Sequence, residues 1–124
     1  GFDDGLYAGA RLLEIVGSQT AGLDQLMAEF PQTVSTPEIQ IPISDSVKFR
    51  IVDALIDNNQ FDDGSISLID GIRVDYSDGW GLVRASNTSP CLTLRFEADD
   101  TTSLNRIQNL FRENLLSIDE GLQF

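Results

Sequence analysis

The residue types with the clearest chemical use stand in one run: Trp80-Gly81-Leu82-Val83-Arg84-Ala85-Ser86-Asn87-Thr88-Ser89-Pro90. Their pattern predicts a strand ending at Arg84 and another starting near Cys91, with Ser86 to Ser89 as the loop between them. That loop gathers hydroxyls, a side-chain amide and several backbone N–H groups within a few residues. Asn87 tolerates left-handed backbone angles, which would turn successive N–H groups toward one concavity, a nest suited to an anion. Arg84, at the strand end, could take two oxygens of a phosphate at once. The same spacing also fits a plain polar turn with Arg84 in a surface ion pair, and spacing alone leaves both readings open.

Composition removes most other chemistries. The chain of 124 residues has no histidine, so Ser-His-Asp triads, Cys-His pairs and His-metal sites cannot form within it. Cys91 is the sole cysteine, which excludes an internal disulfide or a thiolate zinc site and fits a reducing, cytoplasmic setting. Carboxylates, hydroxyls, amides and arginine remain. With 20 acidic against 8 basic residues, net −12, the surface would repel nucleic acid and anionic membranes. No apolar run reaches the ~20 residues of a membrane span, and no charged-then-apolar leader is visible. Lys48 is the only lysine; the other cations are arginines, suited to fixed grips on oxyanions.

The elements that must position the loop read as follows. Leu6, Ala10, Leu13 and Val16 predict a helix over residues 4–16 that Gly17 stops, with Asp3 and Asp4 at its positive end. A short helix is expected from about Thr20 to Phe30, ended by Pro31, and then an extended linker to Pro37. Ile39, Ile41 and Ile43 alternate with polar residues as a strand, placed at an edge by Pro42. Ser44-Asp45-Ser46 can cap a helix whose stripe is Val47, Ile51, Val52, Leu55 and Ile56. Ile66 to Ile69 and Ile72 to Tyr76 flank Asp70-Gly71, a dipeptide suited to a type I′ turn. Ser77-Asp78-Gly79 turns the chain into Trp80 to Ala85, and Leu92 to Ala98 forms the last strand. A closing helix points Leu104, Ile107, Phe111, Leu115 and Ile118 inward. The expectation is α+β: a four-stranded, mainly antiparallel sheet with two helices on one face, preceded by two helices that share none of its pattern.

Arg84-Ala85-Ser86-Asn87-Thr88-Ser89-Pro90 stands after Asp70-Gly71-Ile72-Arg73-Val74 and Gly79-Trp80-Gly81-Leu82-Val83, and before Leu94-Arg95-Phe96-Glu97-Ala98. As a unit it resembles the C-terminal domain of the α-D-phosphohexomutases, most closely the bacterial phosphomannomutase/phosphoglucomutase branch. The resemblance implies that Arg84, Ser86, Asn87 and Thr88 grip the phosphate of a hexose phosphate; many relatives have Gly where Asn87 stands, and Ser89 is not carried over. It implies a parent enzyme that interconverts 1- and 6-phosphates through a phosphoserine, with Mg2+ bound by residues of earlier domains. The family's phosphoserine loop, Asp-rich metal loop and sugar loop have no match here. Phe2-Asp3-Asp4-Gly5 and the helix after them resemble the tail of the third domain. Residues 1–31 are thus expected to be that tail with the hinge, and residues 32–124 the phosphate-binding domain. The chain would then be inactive alone, with a hexose phosphate and the preceding domains as its partners.

Other features fit structural roles. Asp3-Asp4, Asp62-Asp63 and Asp99-Asp100 lie at element boundaries, where capping and turns suffice, and Asp57-Asn58-Asn59-Gln60-Phe61-Asp62 fails as an EF-hand loop. Asn87-Thr88-Ser89 matches a glycosylation sequon only formally. Trp80 and Tyr76 are expected in the core, Cys91 as a small buried hydrophobe, and Arg73 and Arg95 as sheet-face ion-pair partners and at most phosphate auxiliaries. A different class of function, a non-catalytic acidic module that binds a protein through its sheet edge or N-terminal helices, fits the same composition.

Overall fold

The structure is a computed structural model that describes residues 3–58 and 60–123. Phe2 and Asn59, which enter the tail resemblance and the EF-hand comparison, lie outside the described residues. The chain divides into two units between Gln32 and Thr33.

The first unit holds α1 (Gly5–Ser18) and α2 (Leu23–Met27). The Asp4 carboxylate caps α1 by accepting the Tyr7 N–H at 2.9 Å. Contrary to expectation, α1 runs through Gly17 to Ser18. Glycine lowers helix propensity by only about 1 kcal/mol, and the Gln19 N–H still reaches the Val16 carbonyl at 3.3 Å. The α2 helix is shorter than the residues 20–30 predicted: it starts after Gly22, and beyond Met27 the chain continues only as tight turns, the Glu29 and Phe30 N–H groups reaching the Leu26 and Met27 carbonyls. Neither helix buries a residue.

The second unit follows the order β1 (Val34–Ser35), β2 (Ile39–Pro42), α3 (Asp45–Asn58), β3 (Ser65–Ser67), β4 (Ile72–Tyr76), β5 (Gly79–Ala85), β6 (Cys91–Ala98), α4 (Thr101–Ile118). Its six strands form one fully antiparallel sheet in the order β1-β6-β5-β4-β3, with β2 also on β6. The α+β class holds, with six strands rather than four. One reason lies in the linker. The β2 strand pairs only with Cys91 to Leu94, leaving the far half of β6 with bare backbone groups. Val34 and Ser35 cover Ala98 and Glu97, and the Thr36 N–H reaches the Phe96 carbonyl at 3.0 Å. Pro42 has only β6 as neighbour, the edge position its missing N–H requires.

The register sorts the two faces. Val83 opposes Leu94, Gly81 opposes Phe96, and Ile72 opposes Val83, so these residues share one side. Ile51, Val52 and Leu55 of α3 and Ile107, Phe111 and Leu115 of α4 close over that side as a single core. Phe111 lies edge-on to Phe96, with ring centres 5.3 Å apart, and tilted against Phe61 at 4.5 Å. The ring needs the bare backbone of Gly81, where a Cβ would come within 2.4 Å of Phe111 Cε2. Asn114 of α4 is buried and accepts the Gln60 N–H at 2.8 Å, tying the loop after α3 to α4.

Two expectations are corrected by the register. Trp80 opposes Asp75 and Glu97 on the face away from the helices, outside the core, with the Arg73 guanidinium 4.1 Å from its ring centre. Asp70-Gly71 is no two-residue turn: Ser67 pairs with Arg73, so five residues lie between them. Gly71 has φ +75 but Asp70 does not share the positive φ that a type I′ turn needs. Tyr76 packs against the core, its hydroxyl buried without a hydrogen-bond partner among the described residues and its pKa pushed up by burial.

Candidate functional site

The alternation of β5 puts Val83 and Ala85 into the core and Arg84 on the open face, opposite Thr93. Ala85 pairs with Leu92, and the Ser86 N–H closes the ladder on the Cys91 carbonyl at 3.0 Å. The intervening loop is fastened by Ser86, whose buried Oγ accepts the N–H groups of Ser89 at 3.1 Å and Thr88 at 3.4 Å. This is a hydroxyl-built turn, not a left-handed nest: Asp63 is the only non-glycine with positive φ among the described residues, so Asn87 does not adopt the angle expected of it. A serine acceptor closes the turn without that angle. Asn87 and Thr88 are exposed at its tip.

What the loop offers an anion is therefore narrower than a ring of backbone donors. The Ser86, Thr88 and Ser89 N–H groups are spent internally. The Asn87 N–H and amide, the Thr88 hydroxyl, the Ser86 hydroxyl proton and the Arg84 guanidinium remain as donors. Arg84 Nη1 lies 3.3 Å from Asp70 Oδ2, so the surface ion pair of the plainer reading is present. Its cause is Gly71. A Cβ there would meet the Val83 carbonyl oxygen at 2.2 Å, and its absence lets the turn lie against β5 with Asp70 beside Arg84.

Beneath the loop sits a group the sequence reading passed over. Lys48 of α3 is 3% exposed; its ammonium donates to the Ser86 carbonyl at 2.5 Å and the Ser89 carbonyl at 3.0 Å, and forms an ion pair with Asp45 Oδ1 at 2.6 Å. It could have been found. Lys48 precedes Ile51, Val52 and Leu55 by three, four and seven positions, so the only lysine falls on the apolar stripe of its helix. A charge placed there needs partners.

The remaining candidates take structural places. Arg73 donates to Asp75 through Nε and Nη2, at 2.6 Å for Nη2, and this hydrogen bond holds it further into its charged form. Arg95 is exposed on the open face opposite Leu82. Cys91 is buried. Asp4 and Asp100 act as helix caps, Asp100 accepting the Ser103 N–H at 2.8 Å, and Asp62-Asp63 forms a turn. Among the described residues no three His, Cys, Asp or Glu side chains gather as a metal ion would require. No helix among them is long and apolar enough to cross a membrane.

Comparison with known proteins is specific. Residues 38–114 match the family described as "Phosphoglucomutase/phosphomannomutase, C-terminal domain". The chain is 51% identical over 123 residues to a phosphomannomutase/phosphoglucomutase of Pseudomonas putida, covering 99% of this chain and 27% of that protein. It is 48% identical over 114 residues to a phosphoglucomutase of Neisseria meningitidis, covering 90% of this chain and 25% of that protein. A crystal structure of a phosphoglucomutase/phosphomannomutase family protein from Burkholderia thailandensis superposes with a TM-score of 0.85 at 45% identity, covering 100% of this chain and 26% of that one. The chain thus spans about a quarter of the length of these relatives. A core closed over one side of an antiparallel sheet, an arginine-headed loop between its two longest strands and this agreement lead to one assignment: the chain belongs to the phosphoglucomutase/phosphomannomutase family, as its C-terminal domain.

Proposed function

We propose that this domain holds the distal phosphate of a hexose phosphate while a parent mutase, working through a phosphoserine, interconverts the 1- and 6-phosphates. Arg84, Ser86, Asn87 and Thr88 form the grip. The observation that carries the reading is the concentration of uncharged donors beside one guanidinium on a loop backed by a buried ammonium, in a chain whose net charge is −12. A bisphosphorylated sugar that turns over between two half-reactions presents either phosphate to the same grip. Hydroxyl, amide and guanidinium donors read phosphate oxygens and ignore sugar stereochemistry, as that task demands. On this reading residues 1–31 are the end of the parent's third domain with its hinge, and residues 32–124 are the fourth. The Mg2+ of the parent finds no fitting donor set among the described residues, and its ligands belong to other domains.

Binding by the isolated chain should be weak, with Kd of order 1 mM or about 4 kcal/mol, because local donors work against an acidic exterior. Titration with glucose 1-phosphate, followed by backbone amide shifts, tests it. Saturable shifts on Ser86 to Thr88, lost in Arg84→Ala, are expected. The absence of saturation up to tens of millimolar would turn preference to the protein-binding module, which the exposed Leu6, Tyr7 and Leu13 of α1 favour.

A further inference from the structure

We propose that Lys48 is a positioning residue for the phosphate grip: it orients the loop and lends it charge without touching the ligand. This rests on the phosphate reading above and deepens it. Lys48 donates to Ser86 O and Ser89 O, keeps Asp45 Oδ1 as its ion-pair partner, and is only 3% exposed, so its ammonium is withdrawn from a substrate.

The two carbonyls it holds decide what the loop presents. In a trans peptide the C=O and the next N–H lie in one plane and point in opposite directions. Drawing the Ser86 carbonyl inward to Lys48 therefore aims the Asn87 N–H outward, and that is the loop N–H not spent on the loop's own turn. The Ser89 carbonyl belongs to the peptide before Pro90, which has no N–H, so anchoring it costs the grip no donor. The charge acts as well. Lys48 is buried, whereas the Asp45 side chain is 75% exposed and screened by water. The ammonium field therefore reaches the loop with less loss than its counter-charge does.

A purely structural lysine and a positioning one predict opposite signs for Asp45. Phosphate affinity is measured by amide titration with inorganic phosphate and with glucose 1-phosphate in the wild-type chain, Lys48→Met, Asp45→Asn and Asp53→Asn, an exposed acid of α3 that controls for net charge. Lys48→Met should weaken binding about tenfold, from the field of one partly compensated charge at an intermediate dielectric, with its largest shift change at the Asn87 N–H. Asp45→Asn should tighten binding about two- to threefold more than Asp53→Asn does, the scale of an exposed pair. Wild-type affinity in Lys48→Met, or weaker binding in Asp45→Asn, would overturn the proposal while leaving the phosphate reading intact. A wild-type chain without loop shifts sinks both. If Lys48→Met does not fold, the sign of the Asp45→Asn change decides.

Discussion

Arg84 meets its competitor before any ligand arrives. The Asp70 carboxylate holds it at 3.3 Å with both side chains partly open to water, a pair whose worth is about 0–1 kcal/mol. A phosphate dianion that takes two guanidinium donors must displace that carboxylate or share the arginine with it. Removing the charge in Asp70→Asn should therefore tighten phosphate binding about two- to fivefold, the same free energy read as affinity. Calorimetry or amide titration checks it, and unchanged or weaker binding would mean Arg84 does not contact the anion. At this scale the residues Arg84, Ser86, Asn87 and Thr88 were visible in the linear pattern because strand, loop and strand are consecutive. The Asp70 partner was not, since it comes from another turn fourteen residues away.

Among the elements, the turn between β4 and β5 is tied to α4 by Asp78, whose carboxylate accepts from Arg106 Nη2 at 2.6 Å. Hydrogen bonds from Ser103 and then Arg106 hold Asp78 below the ordinary carboxylate pKa. The folded chain then binds that proton less readily than the unfolded chain. Its contribution is complete above about pH 4 and is lost as the pH falls through the lower folded value. Asp78→Asn should melt earlier than wild type at pH 7, and the gap should close toward pH 2; a gap constant across that range would contradict the linkage. The contact of α4 on β5 is more demanding. Gly81→Ala drives a methyl to 2.4 Å from the Phe111 ring, which is fully buried and cannot yield. A loss of about 1–3 kcal/mol is expected from such overpacking, seen as a lower urea midpoint; an unchanged midpoint would show that the helix can shift. The stripes of α3 and α4 were legible because a 3.6-residue period is local. The strand β1 was not, because its only reason to exist is the bare edge of β6.

For the whole molecule, the family assignment and the missing parts point the same way. The chain has no histidine and spans about a quarter of its relatives. On the proposed mechanism it lacks both the phosphoryl donor and the metal loop. Incubated alone with glucose 1-phosphate and a coupled glucose 6-phosphate dehydrogenase, it should produce no signal above the blank. Robust turnover would refute its assignment as a grip without a catalytic centre.

The linear order of residues settled what depends on neighbours in sequence: two core-facing helices, hairpin strands that must run antiparallel, and a polar loop headed by an arginine. Tertiary structure alone decided which distant groups meet that loop. Lys48 reaches the Ser86 carbonyl across 38 positions, Asp70 reaches Arg84 across 14, and Thr36 meets Phe96 across 60. Periodicity describes one element at a time. A hydrogen bond between elements depends on sheet register and helix placement, and these are fixed only when the whole core closes.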